Sequence, residues 1–196
     1  MKSNGYTLRQ MISKEQKTAA IVRLAVQLCE RFQGKTLVVI GILTGAYSFL
    51  THLTEAMEEW NSRQPKKRRV TIIVDFLDAA SYVPDADGAT MKSGGQVKIF
   101  KDLRVNIRGR HVLILDDIGD TWRTLKEIVG LLRARKPKSI EVACMIRKLG
   151  QAKVRVSVKK HIALTIPNKY VAGSGLDTNG LERAKPAVYE VVPKVA

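Results

Sequence analysis

An α/β fold, a parallel sheet with helices on both of its faces, is what this sequence predicts, and three observations predict it. Short runs rich in β-branched residues alternate with segments of helical period. Those runs are apolar throughout, so their strands are buried on both faces. The 196 residues are 45% hydrophobic, enough for one domain to bury a core without staples.

Each element has its own warrant. Ser13, Lys14, Glu15 and Gln16 read as a capping box, and Ile21, Leu24, Ala25 and Leu28 continue it at helical spacing. Thr36 to Ile40 is a β-branched buried strand. Ala46 to Trp60 regains a helical period through Phe49, Leu50, Leu53 and Met57. Val70 to Phe76 is a second strand. Residues 83–96, VPDADGATMKSGGQ, form a Gly- and Asp-rich segment expected to be a lid-like loop. Val97 to Phe100 is a short strand and Val112 to Leu115 a third buried one. Trp122 to Arg133 is a helix carrying Leu125, Ile128, Val129 and Leu132, and Ser139 to Ile146 is the fourth buried strand. Lys153 to Val192 divides into short strand-like runs and turns.

Composition narrows the function classes. Cys29 and Cys144 form no CxxC pair and read as buried thiols in a reducing compartment. No apolar run is long enough to span a bilayer, and MKSNGYTLRQ lacks a signal peptide's apolar core, so a cytoplasmic protein is expected. Thirty-four Lys and Arg against 18 Asp and Glu leave a net charge of +16, which attracts polyanions such as nucleic acid or phosphorylated metabolites.

Ligands of parallel sheets bind beyond the carboxyl ends of the strands, so the loops after Ile40, Phe76, Leu115 and Ile146 are where a site belongs. The third of these is VLILDDIGDTWRTL, residues 112–125. Asp116 and Asp117 leave the strand as acceptors for vicinal hydroxyls or for Mg²⁺ and its waters. The turn from Ile118 to Thr121 then enters a helix, whose free N–H groups and positive dipole end suit a phosphate. Thr121 and Thr124 add hydroxyls, and Arg123 adds charge. Diol acceptors beside a phosphate cradle complement a ribose 5-phosphate. A helix cap would explain one of the three aspartates, but not all three.

This stretch resembles the phosphoribosyl-diphosphate motif of the type I phosphoribosyltransferases, and the chain resembles their hypoxanthine-guanine (6-oxopurine) branch. IGILTGAYSFLTHL (40–53) is similar to that branch's diphosphate loop and helix. VDFLDAASY (74–82) is similar to the strand leading into its mobile lid, and VACMIRK (142–148) to the strand with its purine-reading lysine. IPNKYVAGSGLDTNGLER (166–183) is similar to its base- and metal-binding segment. The match spans residues 36–192 in the family's order. It implies a single domain with a core at about 13–148 and a small hood built from about 149–196 with N-terminal residues.

The resemblance also implies roles. A 5-phosphoribosyl group would move from its α-diphosphate to a purine nitrogen, with Mg²⁺ as cofactor. Asp116 and Asp117 would hold the ribose hydroxyls, partly through metal, and Asp120 would be the base that takes the purine N7 proton. The segment from Asp120 through Thr121, Trp122, Arg123 and Thr124 would bind the 5-phosphate. Leu43, Thr44 and Gly45, with a cis peptide between the first two, would bind diphosphate, together with Arg183 and the lid residues Ser81 and Tyr82. Lys148 would donate to the 6-oxo group, Tyr170 would stack on the base, and Val171 would contact its edge. Asp177 would bind a second Mg²⁺ beside the purine. A homodimer or homotetramer is implied.

Two positions depart from the family. Trp122 stands where a small residue, often Gly, is usual; a helical φ is expected there, with the indole turned away from the phosphate. Thr44 stands where Lys is common, which implies weaker donor binding.

Other signals carry less. GSGLDTNG (173–180) lacks GxGxxG spacing and a strand–turn–helix context, no Walker A lysine is present, and His52, His111 and His161 are too scattered for a zinc site. PKKRRV (65–70) resembles a nuclear-import signal, yet it falls between a helix and a strand, where a solvated basic loop is expected. Two competing functions remain at this point: an RNA-binding regulator on the same fold, with nucleic acid as its partner, and a transferase for another nucleobase.

Overall fold

The computed structural model describes residues 5–84 and 91–194. Twelve principal elements follow in order: β1 (Tyr6–Ile12), α1 (Lys14–Phe32), β2 (Thr36–Leu43), α2 (Tyr47–Ser62), β3 (Thr71–Pro84), β4 (Met91–Lys101), β5 (His111–Gly119), α3 (Arg123–Arg133), β6 (Ser139–Lys148), β7 (Lys159–Ile166), β8 (Val171–Ala172) and β9 (Val188–Pro193). Six strands form one sheet in the order β4-β3-β2-β5-β6-β7. β3, β2, β5, β6 and β7 are parallel, while β4 pairs antiparallel with β3.

The sheet carries an apolar layer on each face. On one, Leu37, Val39, Leu113 and Leu115 pack with Leu24, Leu28 and Phe32 of α1 and Phe49, Leu53 and Met57 of α2. On the other, Val38, Ile40, Val112 and Ile114 pack with Leu125, Ile128, Val129 and Leu132 of α3. The alternation along β2 and β5 distributes one continuous apolar run between two cores. Ser13 caps α1 by accepting from the Gln16 amide, and the Gln16 side chain accepts from the Ser13 amide. Both thiols are buried, and burial pushes Cys29 up to about 12, so neither is nucleophilic.

Two expectations change. Residues 83–96 are not one loop: β3 runs to Pro84 and β4 starts at Met91 as its antiparallel partner, leaving only 85–90 outside the described residues. Ladder hydrogen bonds hold the start of β4, with its Gly94 and Gly95, extended where its own propensity would not. β7 lies beyond residue 148 yet pairs with β6, so the large sheet reaches Ile166. The hood is a second sheet, β1-β9-β8, in which Tyr6 faces Pro193. β1 is absent from the sequence-based expectations because its partner lies at the other end of the chain.

One buried polar cluster ties the layers together. Glu141 of β6 accepts from Arg31 of α1 at 2.8 Å and shares a 2.6 Å hydrogen bond with His161 of β7. Burial alone would push the Glu141 carboxyl up, but hydrogen bonds from Arg31 and His161 outweigh it and hold it below the usual range. A depressed carboxylate stabilises the fold above its unfolded value, and the contribution disappears as pH falls through the folded value. Glu141→Gln is therefore expected to cost about 1–3 kcal/mol near pH 7 and close to nothing at a pH below the folded carboxyl value. Urea denaturation at the two pH values measures this, and an equal deficit at both would refute it.

Candidate active site

The parallel strands deliver their carboxyl ends to one cavity of about 540 Å³. β2 contributes Ile42 and Leu43 and passes into Thr44 and Gly45; β3 contributes Ala79; β5 contributes Asp116, Asp117 and Ile118. The turn after β5 adds Asp120, Thr121 and Trp122, and α3 adds Arg123, Thr124 and Leu125. β6 ends there at Lys148, and the hood closes the side with Tyr170, Val171, Leu176, Asp177 and Arg183. Every expected site residue whose side chain lies among the described residues lines this cavity; Ser81 and Tyr82 do not belong to that set. Those two lie on β3, where Ser81 pairs with Val97, and their side chains fall outside the described residues.

The floor is acidic. Burial pushes Asp116 well up and the neighbouring Asp117 charge pushes it further, while the Asp117 amide donates to it at 3.1 Å. Burial also raises Asp117, against a hydrogen bond from Asp116 and the charge of Arg183. Two carboxylates side by side in low dielectric favour a shared proton or a cation. The Leu43–Thr44 peptide is cis, as the resemblance implies. Gly45 follows it so closely packed that an added Cβ would lie 2.0 Å from Asp117 Oδ2.

α3 begins without a side-chain cap and without an acid in its first turn. None of the three aspartates serves as its cap, so the first N–H groups remain available at the cavity wall. Helix start, Thr121 and Thr124 hydroxyls and the exposed Arg123 meet in one corner whose donors are of the kind that suit an anion.

Trp122 does not have the expected helical φ. It sits at φ 66 and ψ 4, in the left-handed region, and α3 starts only at Arg123. The turn needs that backbone conformation whatever residue occupies it, at a cost of roughly 1–2 kcal/mol for a side chain. The indole offsets the cost by burial: Trp122 is 6% exposed and packs into the α3 core, with Lys160 Nζ 5.3 Å from its ring centroid. Gly119 makes the space, since a Cβ there would lie 2.5 Å from Trp122 Cζ2. Trp122→Gly relieves the strained φ but empties the indole site, so a net loss of about 1–4 kcal/mol is expected. Thermal denaturation reads it, and a variant as stable as the parent would remove the packing argument.

Two ion pairs cross the cavity. Lys148 Nζ lies 3.0 Å from Asp120 Oδ2, and Arg183 lies 2.8 Å from Asp177 Oδ1 while donating to the Gly175 carbonyl. Tyr170 is 54% exposed at the mouth, which leaves a ring face for stacking.

Several contributors were not among the expected residues. Gly175, at φ +101, packs against Gly45, and its amide donates to Arg183 O at 2.9 Å. Behind that turn Lys17 of α1, 2% exposed, donates to Ser174 Oγ at 2.9 Å. Lys17 interrupts a regular apolar face in the sequence, which was the one available signal. The neighbours of Gly175 come from distant segments and left none.

Comparison with known proteins agrees with this geometry. The family model described as phosphoribosyl transferase domain matches residues 10–179. A hypoxanthine-guanine phosphoribosyltransferase of Staphylococcus aureus is 34% identical over 189 residues, covering 96% of each chain. A bifunctional TilS/HprT protein of Listeria monocytogenes is 30% identical over 94% of this chain, which spans only 26% of that longer protein. Among solved structures, a hypoxanthine phosphoribosyltransferase of S. aureus has a TM-score of 0.81 at 31% identity, covering 94% of this chain and 91% of that one. The hypoxanthine phosphoribosyltransferase of Trypanosoma cruzi has a TM-score of 0.79 at 25% identity, covering 95% and 97%.

Proposed function

Since the chain belongs to the phosphoribosyl transferase domain family, we propose that it is a purine-salvage enzyme, transferring the 5-phosphoribosyl group of phosphoribosyl diphosphate to a 6-oxopurine (hypoxanthine, guanine or xanthine). The observation that carries this reading is the single cavity in which an acidic pair, an uncapped helix start and the Lys148–Asp120 pair meet.

Asp116 and Asp117 accept from the ribose hydroxyls. The first amides of α3, with Thr121 and Thr124, hold the 5-phosphate and Arg123 supplies charge. The amides at Leu43, Thr44 and Gly45 and the Arg183 guanidinium face the diphosphate. Lys148 donates to the 6-oxo group, Tyr170 stacks on the ring, and Val171 borders it. In the free protein Lys148 and Asp120 satisfy each other. A base entering between them receives a hydrogen bond from the one and loses its N7 proton to the other.

Among the described residues no three acids or histidines stand close enough to enclose a metal alone. Mg²⁺ does not need such a cage: it binds through one or two carboxylates, substrate phosphates and water. Asp116 and Asp117, each raised by burial, fit that mode, and Asp177 offers a carboxylate for a second Mg²⁺ once Arg183 turns to diphosphate. Bound there, Mg²⁺ would neutralise charge on the departing diphosphate.

The protein is expected to work as a homodimer or homotetramer in the cytoplasm. No described helix is long and apolar enough to cross a membrane. Turnover with donor, Mg²⁺ and each oxopurine tests the assignment; no nucleoside monophosphate from any of them would defeat it. In the same assay Thr44→Lys is expected to lower the donor Michaelis constant about 3- to 10-fold by adding a cation at the diphosphate. Equal constants for the two proteins would dispose of that effect.

A further inference from the structure

A row of cations lies at the end of the sheet opposite the cavity. Lys35 precedes β2, Arg69 lies two residues before β3, Arg110 precedes β5 and Lys138 precedes β6. These strands are adjacent, in the order β3-β2-β5-β6. Their register puts the four cations within one residue of the same level: Thr36 faces Thr71, Leu37 faces His111, and His111 faces Ser139. Adjacent strands lie about 4.8 Å apart, so the row is about 14 Å long. All four residues are exposed.

Backbone hydrogen bonds join the loops that carry them. The Gly34 amide donates to Arg69 O at 3.2 Å, Thr71 to Lys35 O at 3.0 Å, Gly109 to Lys136 O at 2.9 Å and Lys138 to Arg110 O at 2.8 Å. The basic PKKRRV stretch belongs to this surface: Lys66–Arg68 is a short 3-10 turn, exposed, with Arg68 O also accepting from Gly34. It is part of an ordered platform and not a free tail.

Two bland explanations fall short. Helix C-termini attract cations, and α1, α2 and α3 all end at this edge. Their last turns hold only Arg31 and Arg133, however, and the row lies outside the helices. Local ion pairing does not account for the row either. Glu141 pairs with Arg31 and Asp102 with Arg135, and among the described residues no ion pair involves Lys35, Arg69, Arg110 or Lys138.

We propose that this strand-start face is a docking surface for double-stranded nucleic acid, read through its phosphates and without regard to sequence. A rigid row of cations complements a rigid row of phosphates. The partner is a duplex because the row offers no exposed aromatic on which a single strand could stack. A membrane is disfavoured because, of the large exposed apolar side chains among the described residues, Leu131 in the last turn of α3 stands near these loops while others, such as Phe100 and Tyr170, belong to other parts of the fold, and one leucine makes no apolar face to insert. The surface is separate from the transfer chemistry and goes beyond it.

Fluorescence anisotropy of the full chain with a labelled RNA or DNA duplex of about 20 base pairs, taken across a salt series, tests the proposal. With about five phosphates engaged, log affinity should fall against log salt with a slope of about −4.5. The set Lys35→Glu, Arg69→Glu, Arg110→Glu and Lys138→Glu should weaken binding at least about 100-fold and leave oxopurine turnover unchanged. The corresponding Gln set, which removes charge without introducing repulsion, should flatten the slope by about 3–4 if reversal impairs folding. The proposal is overturned if neutralising the row leaves affinity unchanged, or if excess nucleoside monophosphate displaces the duplex and so places it in the cavity. Equal binding of single strands or of anionic phospholipid vesicles overturns it too.

Discussion

Asp120→Asn is expected to lower oxopurine turnover by about 100- to 10,000-fold while leaving donor affinity within a few-fold of the parent, the range for losing a positioned general base. The argument is geometric. Asp120 leaves the turn after β5, lines the cavity and meets Lys148 Nζ at 3.0 Å. A carboxamide oxygen can still accept from Lys148, so the local arrangement survives the change. What it lacks is basicity toward the purine proton. The donor contacts proposed for Asp116, Asp117, the α3 start, the Leu43–Gly45 segment and Arg183 are all left in place. Single-turnover rates with isothermal titration of the donor separate the two terms. An unaffected rate would remove Asp120 from the chemistry, and a donor affinity reduced in step with the rate would make its role structural.

Gly45→Ala and Gly175→Ala should fail in different ways. At Gly45 a Cβ would lie 2.0 Å from Asp117 Oδ2 and 2.5 Å from its Cγ. That carboxylate can turn aside, so the fold survives at about 1–3 kcal/mol, the usual cost of overpacking. Turning aside displaces the acid proposed to hold the sugar, and kcat/KM should fall by at least about 100-fold. At Gly175 the obstacle is backbone: a Cβ would meet Gly45 O at 2.2 Å, on a residue at φ +101. Neither side can move cheaply, so about 3 kcal/mol or more of stability should go with the activity. For a chain of this size that corresponds to a melting temperature lower by about 6–12 °C. If Gly45→Ala kept full activity, Asp117 would not be bound to its observed rotamer. If Gly175→Ala melted with the parent, the hood would not be locked onto the diphosphate loop.

How much of this could be read from the residues differs by segment. The four central parallel strands and three helices were legible because each has a strong local period or an unbroken apolar run: Ser13 opens α1, and Leu125, Ile128, Val129 and Leu132 mark the buried face of α3. The acid pair and the phosphate turn were legible because their residues are consecutive. The β3–β4 ladder was not, since the start of β4, with Gly94 and Gly95, is held extended by pairing and not by its own propensity. Trp122 misled because the backbone demand of a turn outranks the preference of the residue that occupies it.

By itself, then, the sequence determined the alternation of strands and helices, the family's motifs in order and the chemistry available at the strand ends. Only the tertiary structure decided that β1 joins β9 across the whole chain, that Gly45 and Gly175 touch, that Glu141 is shared by Arg31 and His161, and that four cations align on the far edge. The physical reason is range. Helical periods, buried runs and turns act over a few residues and leave their mark in adjacent letters, whereas close packing and strand register join residues far apart in the chain, and these are set only when the layers meet.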